Sequence, residues 1–380
     1  MRILVVNAGS SSLKLSVLDG ERRVAERELP AERAGIDAGE VAGAIRDLGP
    51  VDAVGHRIVH GGTRYRRAVV IDAGVVDALT ELAALAPLHQ AKSLAALEAV
   101  GGVLGHVPAV ACFDTAFHAT LPEAAYTYAL PKAWRERWGL RRFGFHGLAH
   151  ASAARSAAEL LGRPLEGLRL VTCHLGGGAS LAAVKNGRSV DTTMGFTPLE
   201  GLVMATRSGS VDPGLLLWLL EHTGLSEHAM AHALEHDSGL LALAGSSDMR
   251  VVLAAAEEGD PAAVLAIAIY THRLRAAIAS MAAAMDGLDG LVFSGGVGEH
   301  SAAVRTAATD GLAFLGVGID PDLNVNHTGD QDISTPGRRV RTLVVAARED
   351  VEIARQVDDL LGSSPPDGDA LATDAEPAPR

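Results

Sequence analysis

Basic and acidic side chains stand at the ends of several apolar runs in this chain. Arg57 belongs to a run that starts at Val51 and leads into a Gly-Gly turn, and Asp114 directly follows the run 107–113. Because ligands of α/β proteins bind at the ends of the strands, this pattern favours a site for an anionic ligand. A surface position for Arg57 and a capping role for Asp114 are the alternatives.

Two pairs of histidines lie near these runs. His56 and His60 form only a weak zinc candidate, because a zinc site needs a third ligand and this HxxxH lacks the glutamate of a metalloprotease helix. Packed or solvated histidines are the alternative. His146 and His150 stand in RRFGFHGLAH and would line one side of a pocket if they share a helical face. A core histidine beside a helix start is the alternative for this pair.

The stretch NAGSSS, residues 7–12, could bind phosphate groups. It separates two predicted strands, and in the second strand Leu13, Leu15 and Val17 alternate with Lys14, Ser16 and Leu18. Small residues let backbone N–H groups approach an anion closely, and Lys14 would add a positive charge. An ordinary hairpin turn is the alternative.

A second unit of the same plan lies at LRLVTCHLGGGASLAAVKNG, residues 168–187. Aligned without gaps, Gly9, Val17 and Gly20 fall on Gly176, Val184 and Gly187. The repeat predicts two domains of similar plan, each with one phosphate loop at a shared cleft. A third glycine turn, in LDGLVFSGGVGEHS at 288–301, joins a buried strand to a helix N-terminus that can hold a nucleotide.

The composition narrows the class of protein. A length of 380 residues with 48% hydrophobic content indicates about two domains. The net charge of −13 and the 4% aromatic content oppose binding to nucleic acid or to anionic membranes. Two cysteines without a CxxC spacing fit a reducing compartment. With no signal peptide, and with a longest apolar stretch at 262–270 that is too short for a bilayer, we expect a cytoplasmic protein.

The remaining pattern predicts further helices and loops. Helices are expected at 71–86, 94–100, 151–161, 262–285 and 349–361. Loops are expected at 192–214, which carries the isolated Arg207, and at 236–250, while the acidic, Pro-rich tail 363–380 is expected to be disordered. A Walker A loop and protein-kinase signatures are absent from the sequence, so phosphate chemistry would use another fold.

Taken together, the motifs resemble those of the acetate kinase family, within the actin-like and sugar-kinase superfold. The strings follow the family's order along nearly the whole chain: VNAGSSSLK, GHRIVHGG, FDTAFH, RRFGFHG, HLGGGAS, DTTMGFTPLEGL, ATRSG, SSDMR, SGGVGEHS and REDVEIA. The resemblance implies an α/β fold of two actin-like (ribonuclease H-like) domains around a nucleotide cleft. On this basis we expect one domain from 1–116 with 351–362. The other, 117–350, would bind the nucleotide and form a homodimer.

The resemblance also implies Mg²⁺-dependent, reversible phosphoryl transfer between ATP and acetate, giving acetyl phosphate and ADP. Carried over residue by residue, it assigns the metal to Asn7 and Glu349 and catalysis to Arg57, Asp114, His146 and Arg207. It assigns the substrate to Arg57, Val59, Leu88, His89, Phe145 and Pro198. It assigns the nucleotide to Ser12, Lys14, His174, Leu175, Gly176, Gly177, Gly178, Asp248, Met249, Arg250, Gly296, Val297, Gly298, Glu299 and His300.

A carboxylate acceptor is already ionised near neutral pH and needs no strong base. We therefore favour direct in-line attack over a phosphoenzyme on Asp114 or Glu349. Arg57→Ala and Arg207→Ala are each expected to lower turnover by orders of magnitude and to leave the fold intact.

The chain departs from the family pattern at a few positions. Gly177 and Arg348 each stand where the family commonly has asparagine, and Ala205 and Ser210 replace a glycine and an aspartate. These departures concern nucleotide affinity and the phosphoryl donor more than the reaction class. The alternatives that stay open are a propionate or butyrate kinase with the same machinery, a weakened nucleotide-binding protein, and pyrophosphate as the phosphoryl partner.

Overall fold

The structure is a computed structural model that describes residues 1–9, 12–30, 37–82 and 87–362, without the side chains of 87–89. The chain divides into two compact units. Unit 1 is Met1–Ala116 together with the segment that begins at Glu349, and unit 2 is Phe117–Arg348. Each unit contains one six-stranded mixed sheet, as the α/β prediction requires.

The sheet of unit 1 has the strand order β3-β2-β1-β4-β6-β5. β1 is antiparallel to β2 and parallel to β4, and β4 is parallel to β6. The strands are β1 (Arg2–Ala8), β2 (Ser12–Asp19), β3 (Arg22–Pro30), β4 (Ala53–Ile58), β5 (Val69–Val70) and β6 (Ala109–Phe113). The helices are α1 (Ala38–Leu48), α2 (Ala73–Glu81), α3 (Pro87–Leu104) and the chain's last described helix, α15 (Glu349–Gly362).

Both faces of this sheet are covered. Leu13, Leu15 and Val17 pack in one core cluster with residues of α1 and α3, and α15 contacts β1, β2 and β4. At Gly55 a Cβ atom would lie 2.6 Å from Cγ2 of Ile353, so only glycine lets α15 come this close. The predicted alternation of β2 is therefore wrong in part, because Ser16 and Leu18 are also buried.

Unit 2 repeats this topology, with the order β11-β12-β10-β7-β8-β9. Its strands are β7 (Arg169–Leu175), β8 (Ala179–Lys185), β9 (Arg188–Thr192), β10 (Gly290–Ser294), β11 (Gln331–Asp332) and β12 (Arg341–Val344). Strand for strand, the parallel and antiparallel pairings match those of unit 1. A glycine N–H closes each turn: Gly9 donates to Ser12 O at 2.8 Å, and Gly176 donates to Gly178 O at 2.9 Å across a turn that is one residue shorter. The predicted repeat of a strand, a tight loop and a second strand is confirmed, and the shared cleft stays a prediction.

Helices cover the second sheet on both faces, with α6 on β7, β8 and β10 and with α11 on β7 and β8. The helices of unit 2 are α4 (Glu123–Tyr126), α5 (Lys132–Trp138), α6 (Gly147–Leu161), α7 (Pro213–His222), α8 (Glu227–His236), α9 (Gly239–Ala244), α10 (Met249–Glu257), α11 (Pro261–Ala283), α12 (Gly295–His300), α13 (Ala302–Thr309) and α14 (Pro321–Asn326). Short 3₁₀ turns lie at Ala116–Thr120 and Ala313–Leu315.

Three further expectations need correction. The loop predicted at 236–250 contains α9, and the helix predicted from residue 71 begins at Ala73, where Asp72 caps it by accepting from the Val75 N–H. The end of that predicted helix, 83–86, and the tail 363–380 lie outside the described residues. The apolar stretch judged too short for a bilayer belongs to α11, which has 23 residues. By length and composition, α11 and the segment Gly239–Glu257 could each cross a membrane, although core helices of soluble proteins also meet this criterion.

Candidate active site

Arg57 is the centre of a charged cluster in unit 1. It lies on β4 opposite Cys112 of β6, so the end of β6 places Asp114 beside it. Nε of Arg57 donates to both carboxylate oxygens of Asp114 at 3.2 Å, and Nη2 donates to Oδ2 at 2.7 Å. Nη1 donates to Oδ1 of Asn7 at 3.0 Å and lies 3.3 Å from Oε2 of Glu349. Nδ2 of Asn7 also donates to Glu349, at 2.9 Å.

The cluster is largely withdrawn from solvent, with side-chain exposures of 14% for Arg57, 1% for Asp114 and 15% for Glu349. Although burial opposes the shift, the charges of Asp114 and Glu349 raise the pKa of Arg57. Burial raises the pKa of Asp114, and the Arg57 guanidinium works against that rise. Because arginine is not deprotonated in proteins, we treat the contact as a buried ion pair. The alternatives of a surface arginine and a simple capping aspartate are therefore wrong.

His56 and His60 are packed histidines. Both are buried, and burial lowers the pKa of each to about 4. Nδ1 of His60 accepts from the Gly62 N–H at 2.8 Å. Among the described residues, no group of three His, Cys, Asp or Glu side chains could hold a metal ion, so the zinc alternative has no support there.

His146 is the centre of a second cluster, which lies in unit 2. It caps α6 in a left-handed conformation with φ 56°, which is costly for a non-glycine residue and is typical of functional sites. Its Nδ1 is hydrogen-bonded to Oγ of Ser180 at 2.9 Å, and Nε2 of His150 bonds to the same hydroxyl at 2.8 Å. The ring of His174 lies 4.8 Å from that of His146, centroid to centroid.

Arg207 and the glycine loop complete this cluster. A Cβ atom at Gly178 would lie 3.3 Å from Nε2 of His146 and 3.6 Å from Nη1 of Arg207. Nη1 of Arg207 is also 3.4 Å from the carbonyl oxygen of Pro198 and 3.9 Å from Sδ of Met204. Burial lowers the pKa of Arg207, against a smaller opposing effect of Glu235. The loop therefore brings a histidine and an arginine to one glycine, in an arrangement suited to an anion.

The third predicted glycine turn lies beside this loop. Gly295 begins α12 with φ 79°, and a Cβ atom there would lie 2.7 Å from the Leu175 carbonyl oxygen. Oε1 of Glu299 accepts from the Gly295 N–H at 2.9 Å, so this side chain closes the start of α12. At the other end of α12, Nη1 of the buried Arg305 donates to the carbonyl oxygens of Gly298 and Glu299.

The other residues predicted to bind the nucleotide differ in burial and in hydrogen bonding. Asp248 caps α10 by accepting from the Arg250 N–H, and the Arg250 side chain also donates to it and lowers its pKa to about 2. Met249 is buried. Lys14 is exposed on β2, and Ser12 is half-buried at the start of that strand. Their roles stay predictions.

The chain matches known proteins along most of its length. The Acetokinase family profile covers residues 36–355. An acetate kinase from Synechococcus sp. is 47% identical over 402 aligned residues, which cover 95% of this chain and 99% of the relative.

The chain belongs to the acetokinase family.

Solved structures of acetokinases agree in fold. A Porphyromonas gingivalis acetate kinase superposes with a TM-score of 0.87 at 34% identity, covering 95% of this chain and 99% of its own. A Francisella tularensis propionate kinase gives a TM-score of 0.86 at 33% identity, covering 93% and 98%. The predicted family and fold class are confirmed.

The structure describes the surroundings of three of the other residues that are expected to bind the substrate. Val59 is buried in unit 1, and Phe145 in unit 2, where its carbonyl oxygen is hydrogen-bonded to His118 at 3.0 Å. Pro198 is half-buried next to Arg207. The side chains of Leu88 and His89 lie outside the described residues, so the expectation for them stays a prediction.

Two positions at which the sequence departs from the acetokinase pattern, Gly177 and Arg348, have clear structural surroundings. Gly177 has open space where a Cβ atom would stand, so a side chain could be accommodated. Arg348 is fixed by an ion pair with Asp330, whose Oδ1 also accepts from the Ala346 N–H. This arginine therefore fastens the segment that leads into Glu349.

Sequence reasoning missed several side chains that support the site. Ser180 bonds to His146 and to His150, and Thr172 bonds to His150. Arg142 donates to the Met194 carbonyl oxygen and to Glu200 and so fixes the loop after β9. Ser180 stands inside the recognised string HLGGGAS, so the signal was present but no role was assigned to this residue.

Proposed function

We propose that the protein is an acetate kinase, which transfers the γ-phosphoryl group of ATP reversibly to acetate and gives acetyl phosphate and ADP. The observation that carries this proposal is the 47% identity to a relative named acetate kinase along its whole length. The two clusters around Arg57 and His146 give the proposal its chemistry. Phosphoryl transfer requires positioning and charge neutralisation more than covalent chemistry, and both clusters supply these.

Arg57 would bind the acceptor carboxylate. Asp114 accepts from the Nε–H and from one Nη2 hydrogen of Arg57. The Nη1 group contacts Asn7 and Glu349. Because a guanidinium has five N–H donors, one Nη2 hydrogen is left for an oxygen of acetate. The contacts with Asp114 hold the guanidinium plane in one orientation, so the carboxylate would bind in a defined position.

Glu349 and Asn7 would hold Mg²⁺. Around Arg57 one guanidinium faces two carboxylates, so the cluster needs a further positive charge when acetate and phosphate bind there. Mg²⁺ takes one or two protein oxygen ligands and otherwise keeps water or phosphate oxygens, so a carboxylate next to a carboxamide, 2.9 Å apart, fits it. When bound, the ion would neutralise phosphate charge.

His146 and Arg207 would stabilise the phosphoryl group during transfer. Both approach Gly178, whose missing side chain leaves their polar edges free of steric cover. A buried guanidinium is worth more to a developing negative charge than one in water. Acetate then attacks phosphorus directly, since its carboxylate is already the nucleophile and Asp114 is fully occupied by Arg57.

The nucleotide would bind at the glycine loops of unit 2. The 176–178 loop lies beside the start of α12, where Glu299 already accepts from the Gly295 N–H, so other backbone N–H groups of these turns would bind the phosphate oxygens. Asp248, Met249 and Arg250 are proposed for the same nucleotide.

Propionate is the second candidate acceptor, because a propionate kinase superposes almost as well as an acetate kinase. One extra methylene is worth roughly 1–3 kcal/mol in an apolar pocket. We expect propionate to be used with a lower kcat/KM than acetate.

Trapping of the acyl phosphate with hydroxylamine tests the proposal. The purified chain is assayed with acetate, propionate and butyrate, each with MgATP or with magnesium pyrophosphate. We expect acetyl hydroxamate with ATP at about 1–10³ turnovers per second, and less product with propionate. Absence of product with every acid would contradict the kinase proposal, and product with pyrophosphate alone would contradict ATP as the donor.

We further propose a cytoplasmic homodimer. Helices α10 and α11 pack together and leave large apolar side chains in solvent, with exposures of 54% for Val251, 48% for Val264 and 57% for Leu265. Exposed apolar patches of this kind favour a protein interface. Light scattering should give twice the chain mass, and Leu265→Asp should give monomer. A monomeric wild-type protein would contradict the dimer.

A further inference from the structure

The hydrogen bonds behind His146 continue into the core of unit 2. Nδ1 of His146 and Nε2 of His150 share the hydroxyl of Ser180, at 2.9 and 2.8 Å. Nδ1 of His150 bonds to Oγ1 of Thr172 at 2.8 Å, and the Thr172 hydroxyl donates to the carbonyl oxygen of Ala182 at 3.4 Å. The four side chains therefore form one chain of hydrogen bonds that ends at a backbone acceptor.

We propose that Ser180 and His150 are positioning residues, which hold His146 with a proton on Nδ1 and present its Nε2 edge to the phosphate loop. The proposal rests on the phosphoryl-transfer function proposed above. It goes beyond that function because it assigns a tautomer to His146 and names the groups that set it.

The direction of proton donation along these hydrogen bonds follows from the last acceptor, a backbone carbonyl. The Ala182 carbonyl can only accept, so the Thr172 hydroxyl donates to it and accepts from Nδ1–H of His150. Nε2 of His150 then carries the lone pair and accepts from the Ser180 hydroxyl. Since Ser180 has used its only proton, its oxygen accepts from Nδ1–H of His146.

Burial keeps this direction fixed. Thr172, Ser180 and His150 are all 0% exposed, so water does not compete for these groups. Burial lowers the pKa of His150 well below its ordinary value, with smaller effects of His118 and His174 in the same direction. A neutral imidazole has one donor and one acceptor nitrogen, which is what the chain requires at His150.

Strands β7 and β8 position the residues of this hydrogen-bond chain. Ser180 is the register partner of His174, and Thr172 is the partner of Ala182, in the antiparallel pair β7 and β8. The same hairpin carries the 176–178 loop, and a Cβ atom at Gly178 would lie 3.2 Å from Cε1 and 3.3 Å from Nε2 of His146. Nδ1 therefore faces the core, while the Cε1–Nε2 edge faces the loop.

A neighbouring pair offers a matched control. Ser189 and His118 are equally buried and hydrogen-bonded at 2.8 Å. The other ring nitrogen of His118 bonds to the Phe145 carbonyl oxygen, so both nitrogens are occupied without Ser180. Ser189→Ala removes the same kind of serine–histidine hydrogen bond as Ser180→Ala. This bond does not belong to the series of hydrogen bonds that leads to His146.

The kinetic test compares three variants of the full chain in the hydroxamate assay. Ser180→Ala should lower kcat at least about 10-fold, because a catalytic histidine in the wrong tautomer loses much of its effect. KM for ATP and acetate should stay within about twofold. Ser180→Thr, which keeps the hydroxyl, should recover most of kcat, and Ser189→Ala should keep kcat within about twofold. Equal losses in Ser180→Ala and Ser189→Ala, or no loss in Ser180→Ala, would overturn the proposal.

Nitrogen-15 NMR of histidine-labelled wild-type protein tests the tautomer without any need for turnover. The His146 signals are identified by their absence in His146→Gln. We expect a protonated Nδ1 in wild type and a mixture of tautomers in Ser180→Ala. An unprotonated Nδ1 in wild type would overturn the inference even if acetyl phosphate forms. An inactive wild type with a protonated Nδ1 would instead contradict only the proposed reaction.

Discussion

Arg57 and Arg207 are both withdrawn from solvent, yet the charges around them differ. Arg57 faces the carboxylates of Asp114 and Glu349, and these raise its pKa against the effect of burial. Arg207 contacts the Pro198 carbonyl oxygen and a thioether sulfur, and burial lowers its pKa. Two carboxylates therefore raise the pKa of the first arginine, whereas burial has the largest effect on the pKa of the second.

This difference separates two tasks. A guanidinium fixed by a buried carboxylate is suited to positioning, because its orientation is set before any ligand arrives. A buried guanidinium whose pKa is lowered by burial gains when a phosphoryl group brings negative charge, and such a gain favours a transition state over the ground state. We propose that the two units, which share one strand topology, use it for different electrostatic purposes.

The largest effect is expected for Arg57→Ala, which should lower both activity and stability. It leaves Asp114 as a buried charge without its partner, so the free energy of unfolding should fall by about 3–5 kcal/mol. Turnover should fall by roughly 10³ or more. This revises the expectation, drawn from the sequence, that the fold would be unaffected. Urea denaturation and the hydroxamate assay measure the two effects.

A double variant controls for that buried charge. Arg57→Met with Asp114→Leu should regain most of the stability while staying inactive. If Arg57→Ala alone unfolds at the wild-type denaturant concentration, Asp114 does not depend on Arg57 and the comparison between the two arginines fails.

The next largest effect is expected in the phosphate loop. Gly178→Ala would place a methyl group 3.2 Å from Cε1 and 3.3 Å from Nε2 of His146, tight enough to displace the ring, and 3.6 Å from Nη1 of Arg207, which is an ordinary contact; kcat should therefore fall about 10- to 100-fold. Gly177→Ala is the matched control, because nothing lies within 4 Å of the added atom. Equal kcat values for the two variants would show that the contact with His146 and Arg207 is unimportant.

A pH dependence of stability should be common to both units. Burial lowers the pKa of His60 in unit 1 and of His118 in unit 2 to about 4 each. Between pH 6.5 and 4 the unfolded chain then binds more protons, so stability is full above pH 6.5 and falls as the pH decreases towards 4. Each such histidine contributes up to about 3 kcal/mol.

Chemical denaturation at a series of pH values checks this prediction. His118→Asn should flatten the dependence by about one proton between pH 4 and 6.5. Parallel curves for wild type and this variant would show that His118 is not held neutral by the fold.

The smallest effect is expected for Gly177→Asn, which restores the side chain that the family commonly has. The position is open and its φ is not positive, so the fold should accept it. One added hydrogen bond to a phosphate oxygen would lower KM for ATP about threefold. An unchanged KM would mean that this departure does not affect the nucleotide.

Local signals in the sequence were enough for the main elements of the fold. The two hairpins follow from apolar runs separated by glycine-rich loops, and the contact of Arg57 with Asp114 follows from two strands that end at the same edge. The alternation in β2 misled because α15, from the far end of the chain, covers the second face.

The support behind the site could not be predicted in the same way. His150 meets Thr172 and Ser180 only because α6 packs on β7 and β8, and the three residues are 22 and 30 positions apart. A single histidine or serine carries no local pattern that reveals such a contact. The capping role of Asp248, by contrast, follows the ordinary preference of aspartate at a helix start.

Turnover of Arg207→Ala tests most directly whether the charge of this arginine is held for the phosphoryl group. We expect kcat for acetyl phosphate formation to fall by about 10³ or more, with a smaller loss in the free energy of unfolding than Arg57→Ala shows. Arg169→Ala, which removes an ion pair with Asp289, is the control and should keep its kcat. A kcat for Arg207→Ala within tenfold of wild type, or a loss of stability as large as that of Arg57→Ala, would contradict the account.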